Sequence, residues 1–137
     1  MIQFAVVVAD VDLFKRVNDT HGHKVGDQVI AAVGRAPRDS VRVTDFVGRY
    51  GGEEFIILFT DVDEERAAQL AEKLRLAVSA IDKPVPVTCS FGVCANLGSL
   101  AKDADGLFKA ADAALYRAKR SGRDRVVCFH SEEPTGA

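Results

Sequence analysis

Carboxylates stand at two places in the sequence where a predicted strand begins or ends. Asp10 and Asp12 follow a run of apolar residues, and Glu53 and Glu54 follow a pair of glycines. If the first strand lies beside the glycine turn, Asp10 and a carboxylate of the turn converge on one point. Oxygen ligands of this kind suit Mg²⁺, which takes one or two protein carboxylates and completes its shell with water and substrate phosphates. The pattern predicts a metal-nucleotide site.

The same carboxylates also have plainer interpretations. Asp12 is typical of a residue that caps the N-terminus of the helix that follows it, and we favour that role for Asp12. Glu53 and Glu54 can both be solvated turn residues. Because they alternate along a strand, at most one of them faces a metal and the other has a different role.

The predicted strands and helices that must position these residues follow one another along the chain. The apolar run Phe4 to Ala9 predicts a central strand covered on both faces. Strands at 46–50 and 53–59 flank a two-residue turn, Gly51-Gly52, in which both glycines can take a positive φ. The other predicted elements are a short helical turn through Phe14 and Val17, helices over 25–36 (ended by Pro37), 64–81 and about 103–119 (capped by Gly122), and strands over 87–95 and 125–129.

This order favours an α/β (α+β) fold in which one mixed, mostly antiparallel sheet of about five strands is flanked by helices. The length of 137 residues predicts one domain, and 47% hydrophobic with 28% charged residues excludes wholesale disorder. The net charge of −2 gives no global positive field for nucleic acid or an anionic membrane. We expect no partner of either kind for this segment.

Membrane and disulfide classes are also disfavoured. The longest apolar stretch is less than half of the roughly 20 residues that a bilayer span needs, and the start lacks the features of a secretory signal, so we expect a cytoplasmic protein. Cys89, Cys94 and Cys128 are odd in number and contain no Cys-x-x-Cys pair. We interpret them as small buried hydrophobic residues, with Cys89 and Cys94 on opposite faces of a strand.

Four motifs in register resemble the GGDEF domains, the family of diguanylate cyclases. The clearest is 49–55, Arg-Tyr-Gly-Gly-Glu-Glu-Phe, a GGEEF variant in which Glu occupies a position that is usually Asp or Glu. The others are 10–15, the segment 18–27 with its Asn-Asp, Gly-His and Gly-Asp pairs, and 118–123. The resemblance extends from about Phe4 to Val127. It implies a fold similar to nucleotidyl cyclase and palm domains.

The resemblance implies a Mg²⁺- or Mn²⁺-dependent enzyme that condenses two GTP into cyclic di-GMP, a bacterial second messenger, and releases pyrophosphate. Each domain would bind one GTP, so catalysis requires a homodimer. Residues 1–130 would be the catalytic domain and 131–137 a flexible tail. The family usually has a helix before the first strand. Its absence here leads us to expect attachment to an upstream sensor or dimerising domain.

Roles for individual residues also follow from the resemblance alone. Asp10, Glu53 and the backbone carbonyl of Val11 would bind the metal. Glu54 would be a candidate for assisting deprotonation of the attacking 3′-hydroxyl. The substrate contacts would be the backbone amides of Phe14 and Lys15 for the phosphates, Asn18 and Asp27 for the guanine edge, Gly52 beside the nucleotide, and Lys119 and Arg123 for the β- and γ-phosphates. Lys119 and Arg123 also have a plainer role as cations that complement a helix C-terminus.

Arg42 and Asp45 resemble the family's inhibitory site, where the guanidinium binds a guanine of dimeric product. The plainer interpretation is a surface ion pair worth about 0–1 kcal/mol. A second arginine that some members use at this site corresponds here to Lys73, and lysine lacks the planar fork of arginine.

Two other functions stay open. The chain could be a catalytically silent module that binds cyclic di-GMP or GTP and regulates an attached domain. It could also be another kind of nucleotidyl transferase, although the guanine-reading pair Asn18 and Asp27 disfavours this. The His21-x-His23 pair suggests a transition metal only weakly, because no third ligand lies nearby in the sequence.

Overall fold

The computed structural model describes residues 3–95 and 104–130, which form one five-stranded sheet flanked by helices. The strand order is β2-β3-β1-β4-β5, and every neighbouring pair is antiparallel except β4 with β5. This confirms the predicted mixed, mostly antiparallel sheet. The elements are β1 Phe4–Val11, α1 Phe14–His21, α2 His23–Arg35, a 3-10 helix Ala36–Asp39, β2 Phe46–Tyr50, β3 Glu54–Thr60, α3 Glu64–Ser79, β4 Cys89–Ala95, α4 Ala104–Arg120 and β5 Val126–Cys128.

Strand β1 is the central strand, as its unbroken apolar run predicts. Val7 and its odd-numbered neighbours pack into a core with α2 and α3, while Val6 and Val8 pack beneath α4. Its partners are β3 on one side and β4 on the other, so β1 lies beside the hairpin. The strand is longer than predicted and ends at Val11, which places Asp10 inside the ladder.

The hairpin connection differs from the prediction. Tyr50 pairs with Glu54, so the connection has the three residues 51–53 rather than two. Glu53 leaves the hairpin ladder because its carbonyl accepts a hydrogen bond from the backbone N–H of Val11, at 3.1 Å. Gly51 takes a positive φ of 73°. The Arg49 guanidinium closes the turn by donating to the Gly52 carbonyl at 2.7 Å.

The helices end where local chemistry predicts. Helix α2 stops at Arg35, and Pro37 lies at the start of the 3-10 helix that follows. Asp63 caps α3 by accepting the Arg66 N–H at 2.8 Å.

Cys89 and Cys94 are buried on opposite faces of the sheet, as predicted, whereas Cys128 is only half-buried because β5 is an edge strand.

Two further expectations from the sequence concern a membrane span and a C-terminal tail. Within the described residues, no helix combines the length and apolarity that a membrane crossing requires. The predicted tail at 131–137 lies outside the described residues.

Candidate active site

The two carboxylate clusters meet at one end of the sheet. Asp10 lies directly opposite Glu54 on β3 and opposite Ser90 on β4. Side chains of directly paired residues share a face of the sheet, so Asp10 and Glu54 are on the same side. Glu53 lies next to Val11, to which it is hydrogen-bonded through the backbone. The predicted convergence is confirmed, and Glu54 rather than Glu53 is the residue paired with Asp10 in the ladder.

This end of the sheet carries an excess of negative charge. Burial raises the pKa of Asp10; the Lys119 hydrogen bond and charge oppose this rise, and Glu53 adds to it. Burial and the Asp10 charge likewise raise the pKa of Glu54. Carboxylate and carbonyl oxygens crowded in this way are the donor set that a hard divalent cation prefers. The predicted ligands Asp10 and Glu53 are carboxylates of this kind, so their chemistry is compatible with Mg²⁺.

Within residues 3–95 and 104–130, no group of three or more His, Cys, Asp or Glu side chains is arranged as a metal cluster. His21 and His23 accordingly have no third partner of these types there. His21 is the last residue of α1 and His23 is the first residue of α2, with only Gly22 between them.

Lys119 connects α4 to the carboxylates. It lies in the last turn of α4 together with Arg117 and Arg120, and its ammonium forms an ion pair with the buried carboxylate of Asp10. The position satisfies the helix dipole and at the same time places a cation at the candidate metal site. Both interpretations of Lys119 from the sequence are compatible with this geometry.

The expected capping role of Asp12 is wrong. The N-cap residue of α1 is Leu13, which has a left-handed φ of 55° and gives the helix no side-chain cap. Asp12 is buried and accepts hydrogen bonds from Ser90 Oγ at 2.6 Å, Thr88 Oγ1 at 2.7 Å and the Asp124 N–H at 3.0 Å. The left-handed Leu13 turns the chain away, so the carboxylate faces β4 instead of the helix amides.

Sequence reasoning missed the partners Thr88, Ser90 and Asp124. A signal for Thr88 and Ser90 exists, because they are hydroxyl side chains at alternate positions of the predicted strand 87–95, whose other face is apolar. Asp124 binds through its backbone amide, which no side-chain pattern reveals.

The start of α1 follows the carboxylates directly. Helix geometry leaves the first backbone amides, those of Phe14 and Lys15, without acceptors inside the helix. Such amides attract anions and can hold phosphate groups. The Lys15 side chain is exposed and pairs with Asp19 at 2.9 Å, so its ammonium is directed along the helix surface.

Helices α1 and α2 enclose Asn18. Its Oδ1 atom is buried and has no hydrogen-bond partner within the described structure. A Cβ atom on Gly26 would lie 1.9 Å from that oxygen, so glycine is required for this close approach. Asp27 follows on the exposed surface of α2 and borders a cavity of about 370 Å³. Asn18 and Asp27 both carry acceptor oxygens of the kind that a ligand with several N–H groups requires.

Arg123 lies in the turn that follows α4. Arg123 and Asp124 both have left-handed backbones, with φ of 61° and 47°. The Arg123 N–H donates to the Ala118 carbonyl at 2.9 Å, which closes the helix C-terminus. Gly122, with φ of 129°, allows this turn, as the sequence predicts.

Arg42 and Asp45 form a compact turn at the other end of β3. The Asp45 carboxylate accepts the Arg42 N–H at 2.9 Å and the Thr60 N–H at 2.9 Å, and its side chain is 1% exposed. The Arg42 guanidinium contacts the same carboxylate at 3.3 Å but is 52% exposed. The pair predicted from the sequence is therefore formed, with its guanidinium accessible.

Comparison with known proteins identifies the family. Residues 2–125 match the family model described as diguanylate cyclase, GGDEF domain. The chain belongs to the GGDEF domain family. The diguanylate cyclase DgcP of Pseudomonas aeruginosa is 44% identical over 126 residues, which cover 88% of this chain and 18% of DgcP. The probable diguanylate cyclase DgcT of Escherichia coli is 44% identical over 131 residues, which cover 90% of this chain and 29% of DgcT.

Solved GGDEF structures share the fold. The GGDEF domain of DgcB from Caulobacter crescentus, solved in complex with c-di-GMP, superposes with a TM-score of 0.86 at 33% identity, covering 93% of this chain and 78% of that one. An active GGEEF domain of a diguanylate cyclase from Vibrio cholerae gives a TM-score of 0.87 at 30% identity, covering 95% and 85%. This GGDEF chain thus spans less than a third of the length of each of the two curated relatives. It spans most of the length of the two solved domains.

Proposed function

We propose that this GGDEF domain is a diguanylate cyclase module that condenses two GTP into cyclic di-GMP and pyrophosphate. The observation that carries the proposal is the convergence of Asp10, the hairpin carboxylates and Lys119 at one end of the sheet. The family assignment and the relatives named diguanylate cyclase support the same chemistry.

The reaction is phosphoryl transfer, carried out twice. The 3′-oxygen of one GTP attacks the α-phosphorus of the other, and pyrophosphate leaves. Negative charge accumulates on the leaving group, so fixed cations and oriented donors are the appropriate catalysts. A bound Mg²⁺ or Mn²⁺ would supply charge stabilisation here, held by Asp10, Glu53 and the Val11 carbonyl.

The remaining residues would bind and orient the substrate. The amides of Phe14 and Lys15, together with Lys119 and Arg123, would hold the phosphates. Gly52, in the glycine turn, would let the nucleotide approach the backbone closely. Glu54, on the same face as Asp10, would accept the proton of the attacking hydroxyl. Burial and the Asp10 charge raise the pKa of Glu54, which favours such proton acceptance.

Guanine selectivity would come from Asn18 and Asp27. The unpartnered Asn18 oxygen and the exposed Asp27 carboxylate are acceptors, and guanine presents a ring N–H and an exocyclic amine on one edge. Adenine offers no such pair of donors on that edge. This favours a GTP-specific enzyme over a nucleotidyl transferase that uses ATP.

The test is incubation of concentrated protein with GTP and Mg²⁺, followed by mass spectrometry. Cyclic di-GMP should form with GTP and not with ATP, and Glu53→Gln should remove it. A dimeric, GTP-bound protein that forms no cyclic di-GMP would contradict the catalytic proposal. Equal turnover of ATP would contradict the assignment of Asn18 and Asp27.

A second function is suggested by the accessible Arg42 guanidinium. Its exposure beside a fully bonded Asp45 suits it to bind a guanine edge of cyclic di-GMP, as an inhibitory site or in a silent receptor. Calorimetry with cyclic di-GMP should show weaker binding to Arg42→Ala than to the wild type. Equal affinities would eliminate this site.

A further inference from the structure

The buried carboxylate of Asp12 joins three segments that are distant in sequence. Its Oδ1 accepts from Ser90 Oγ at 2.6 Å, and its Oδ2 accepts from Thr88 Oγ1 at 2.7 Å and from the Asp124 N–H at 3.0 Å. Its own backbone N–H donates to the Thr88 carbonyl at 2.9 Å. Asp12 thereby ties the end of β1 to β4 and to the turn after α4.

These contacts leave Asp12 little capacity for other ligands. A carboxylate offers about four acceptor positions, and three are taken by protein donors. Asp12 is also only 7% exposed. Although it lies two residues after Asp10, it is therefore not a further metal ligand in this arrangement.

The turn that Asp12 contacts has an unfavourable backbone. Arg123 and Asp124 are consecutive residues in the left-handed region, with φ of 61° and 47°. Side chains other than glycine seldom adopt this region, and they persist there only when surrounding contacts impose it. Besides the Arg123 N–H bond to the Ala118 carbonyl, the turn is held by the bond from the Asp124 N–H to Asp12 and by an ion pair from the Asp124 carboxylate to Arg75 at 2.8 Å.

Arg75 is itself well anchored. It forms a bidentate pair with Glu72 one turn earlier on α3, at 2.7 and 2.6 Å. The turn after α4 is consequently held from β1 by Asp12 and from α3 by Arg75. Arg123 is part of this turn.

We propose that Asp12 is a positioning residue that fixes the left-handed turn and so places Arg123 to bind the nucleotide phosphates. The inference rests on the proposed function, because Arg123 is assigned to the phosphates there. Asp12 acts through Arg123 and not by touching the substrate or a metal. Removing the Asp12 carboxylate releases the Asp124 amide, and the turn relaxes.

The experiment measures binding of a non-hydrolysable GTP analogue with Mg²⁺ by calorimetry. Misplacing a group by about 1 Å can cost up to two orders of magnitude, so Asp12→Ala should weaken binding about 10-fold, as should Arg123→Ala. In the Arg123→Ala background, Asp12→Ala should cause no further loss beyond about 2-fold, because coupled residues are non-additive. Asp12→Asn keeps an oxygen for Thr88 and Asp124 and should stay within about 3-fold of the wild type.

A second variant keeps the inference testable if Asp12→Ala fails to fold. Asp124→Ala keeps the amide donor but removes the Arg75 pair and leaves a side chain in the left-handed region, so it should show the same loss and the same dependence on Arg123. Asp63→Ala is the control, because it removes another carboxylate-to-amide bond, at the start of α3. It should lower stability and leave analogue affinity unchanged.

Hydrogen exchange, measured in the absence of nucleotide, tests the bond between the Asp124 amide and Asp12 directly. The Asp124 amide should be protected in the wild type and exchange at least about 10-fold faster in Asp12→Ala. An Asp124 amide that is unprotected in the wild type overturns the inference. Additive losses of affinity in the double variant also overturn it, and so does a folded Asp12→Ala protein that binds the analogue as tightly as the wild type. Wild-type protein that protects this amide but fails to bind the analogue overturns the proposed function and, with it, the role of Arg123.

Discussion

At the scale of single residues, we expect Lys119 to have opposite effects on the binding of GTP and of a divalent cation. Its ammonium pairs with buried Asp10, one of the candidate metal ligands. Lys119→Met should weaken GTP binding by about 10- to 100-fold, because a charge-assisted hydrogen bond contributes about 1.5–3 kcal/mol. The same change should strengthen Mn²⁺ binding in the absence of nucleotide, because Asp10 loses a competing cation.

Calorimetric titration with Mn²⁺ alone and with a GTP analogue separates these effects. Arg120→Met, in the last turn of the same helix, is the matched control and should change neither affinity. A Lys119→Met protein whose affinity for Mn²⁺ is no higher than that of the wild type would show that Lys119 does not compete with the metal.

Asp45 makes stability depend on pH. Burial favours its neutral form, but hydrogen bonds from Thr60 and Arg42 outweigh this and lower the pKa of Asp45. An acid whose pKa is lower in the folded state adds stability above its unfolded pKa of about 4 and loses it as the pH falls through the folded value. Asp45→Asn should therefore lower the free energy of unfolding at pH 7 by about 1–3 kcal/mol.

Urea denaturation of both proteins from pH 7 down to pH 2 checks this effect. The difference between wild type and Asp45→Asn should begin to shrink as the pH falls below the unfolded pKa of about 4, and it should be lost once the pH has fallen through the lower pKa of the folded state. A difference that stays constant over the whole range would mean that the charge of Asp45 contributes nothing.

Residue types and spacing were enough to predict that Asp10 meets the hairpin carboxylates, because a buried strand and a glycine hairpin leave few places for them; the residue opposite Asp10 is Glu54 and not Glu53. Asp12 was predicted wrongly, because its partners come from β4 and from a backbone amide more than 70 residues away. An N-cap preference is a local rule, and here a left-handed Leu13 overrides it. Roles that depend on a bound nucleotide, such as those of Asn18 and Arg123, stay predictions.

At the scale of elements, the position of α4 depends on Gly92. A Cβ atom on this residue of β4 would lie 2.0 Å from the Ala111 carbonyl oxygen and 2.3 Å from the Leu115 nitrogen, both in the α4 backbone. Gly92→Ala must displace the helix and should lower the free energy of unfolding by about 3 kcal/mol. Because α4 carries Lys119, GTP affinity should fall as well.

Gly34→Ala is the matched control for this prediction. The new Cβ would lie 3.6 Å from a Phe55 ring carbon, which is an ordinary contact, and residue 34 is inside α2. Alanine should raise the free energy of unfolding by about 0.5–1 kcal/mol, since glycine is the poorer helix former. Chemical denaturation that found the two variants equally stable would contradict the tight helix-strand contact.

The helices and strands were predicted well where their hydrophobic period was strong. Helix α3 begins at Glu64 as expected, because Asp63 caps it, and the sheet order follows from a central apolar strand beside a hairpin. The hairpin turn was predicted one residue too short. Its length is decided by a tertiary hydrogen bond between Val11 and Glu53, which the glycines themselves do not encode.

At the scale of the whole molecule, the proposed reaction requires two copies of the chain. One domain offers one set of Asp10, Glu53 and Lys119, and the proposed reaction joins two GTP through two phosphodiester bonds. Two domains related by a twofold axis each supply one half of the site. The specific activity should therefore rise with protein concentration until the dimer is saturated.

Mixing active and inactive chains gives a sharper test of this requirement. Glu53→Gln removes a proposed metal ligand and should leave the fold intact, so it should still pair with wild-type chains. If both halves must be intact, an equal mixture at fixed total concentration should retain about a quarter of the wild-type rate of cyclic di-GMP formation, because only a quarter of random dimers are fully wild type. A rate of about half would mean that each chain works alone, and a gel-filtration profile unchanged by the substitution would confirm that pairing was preserved.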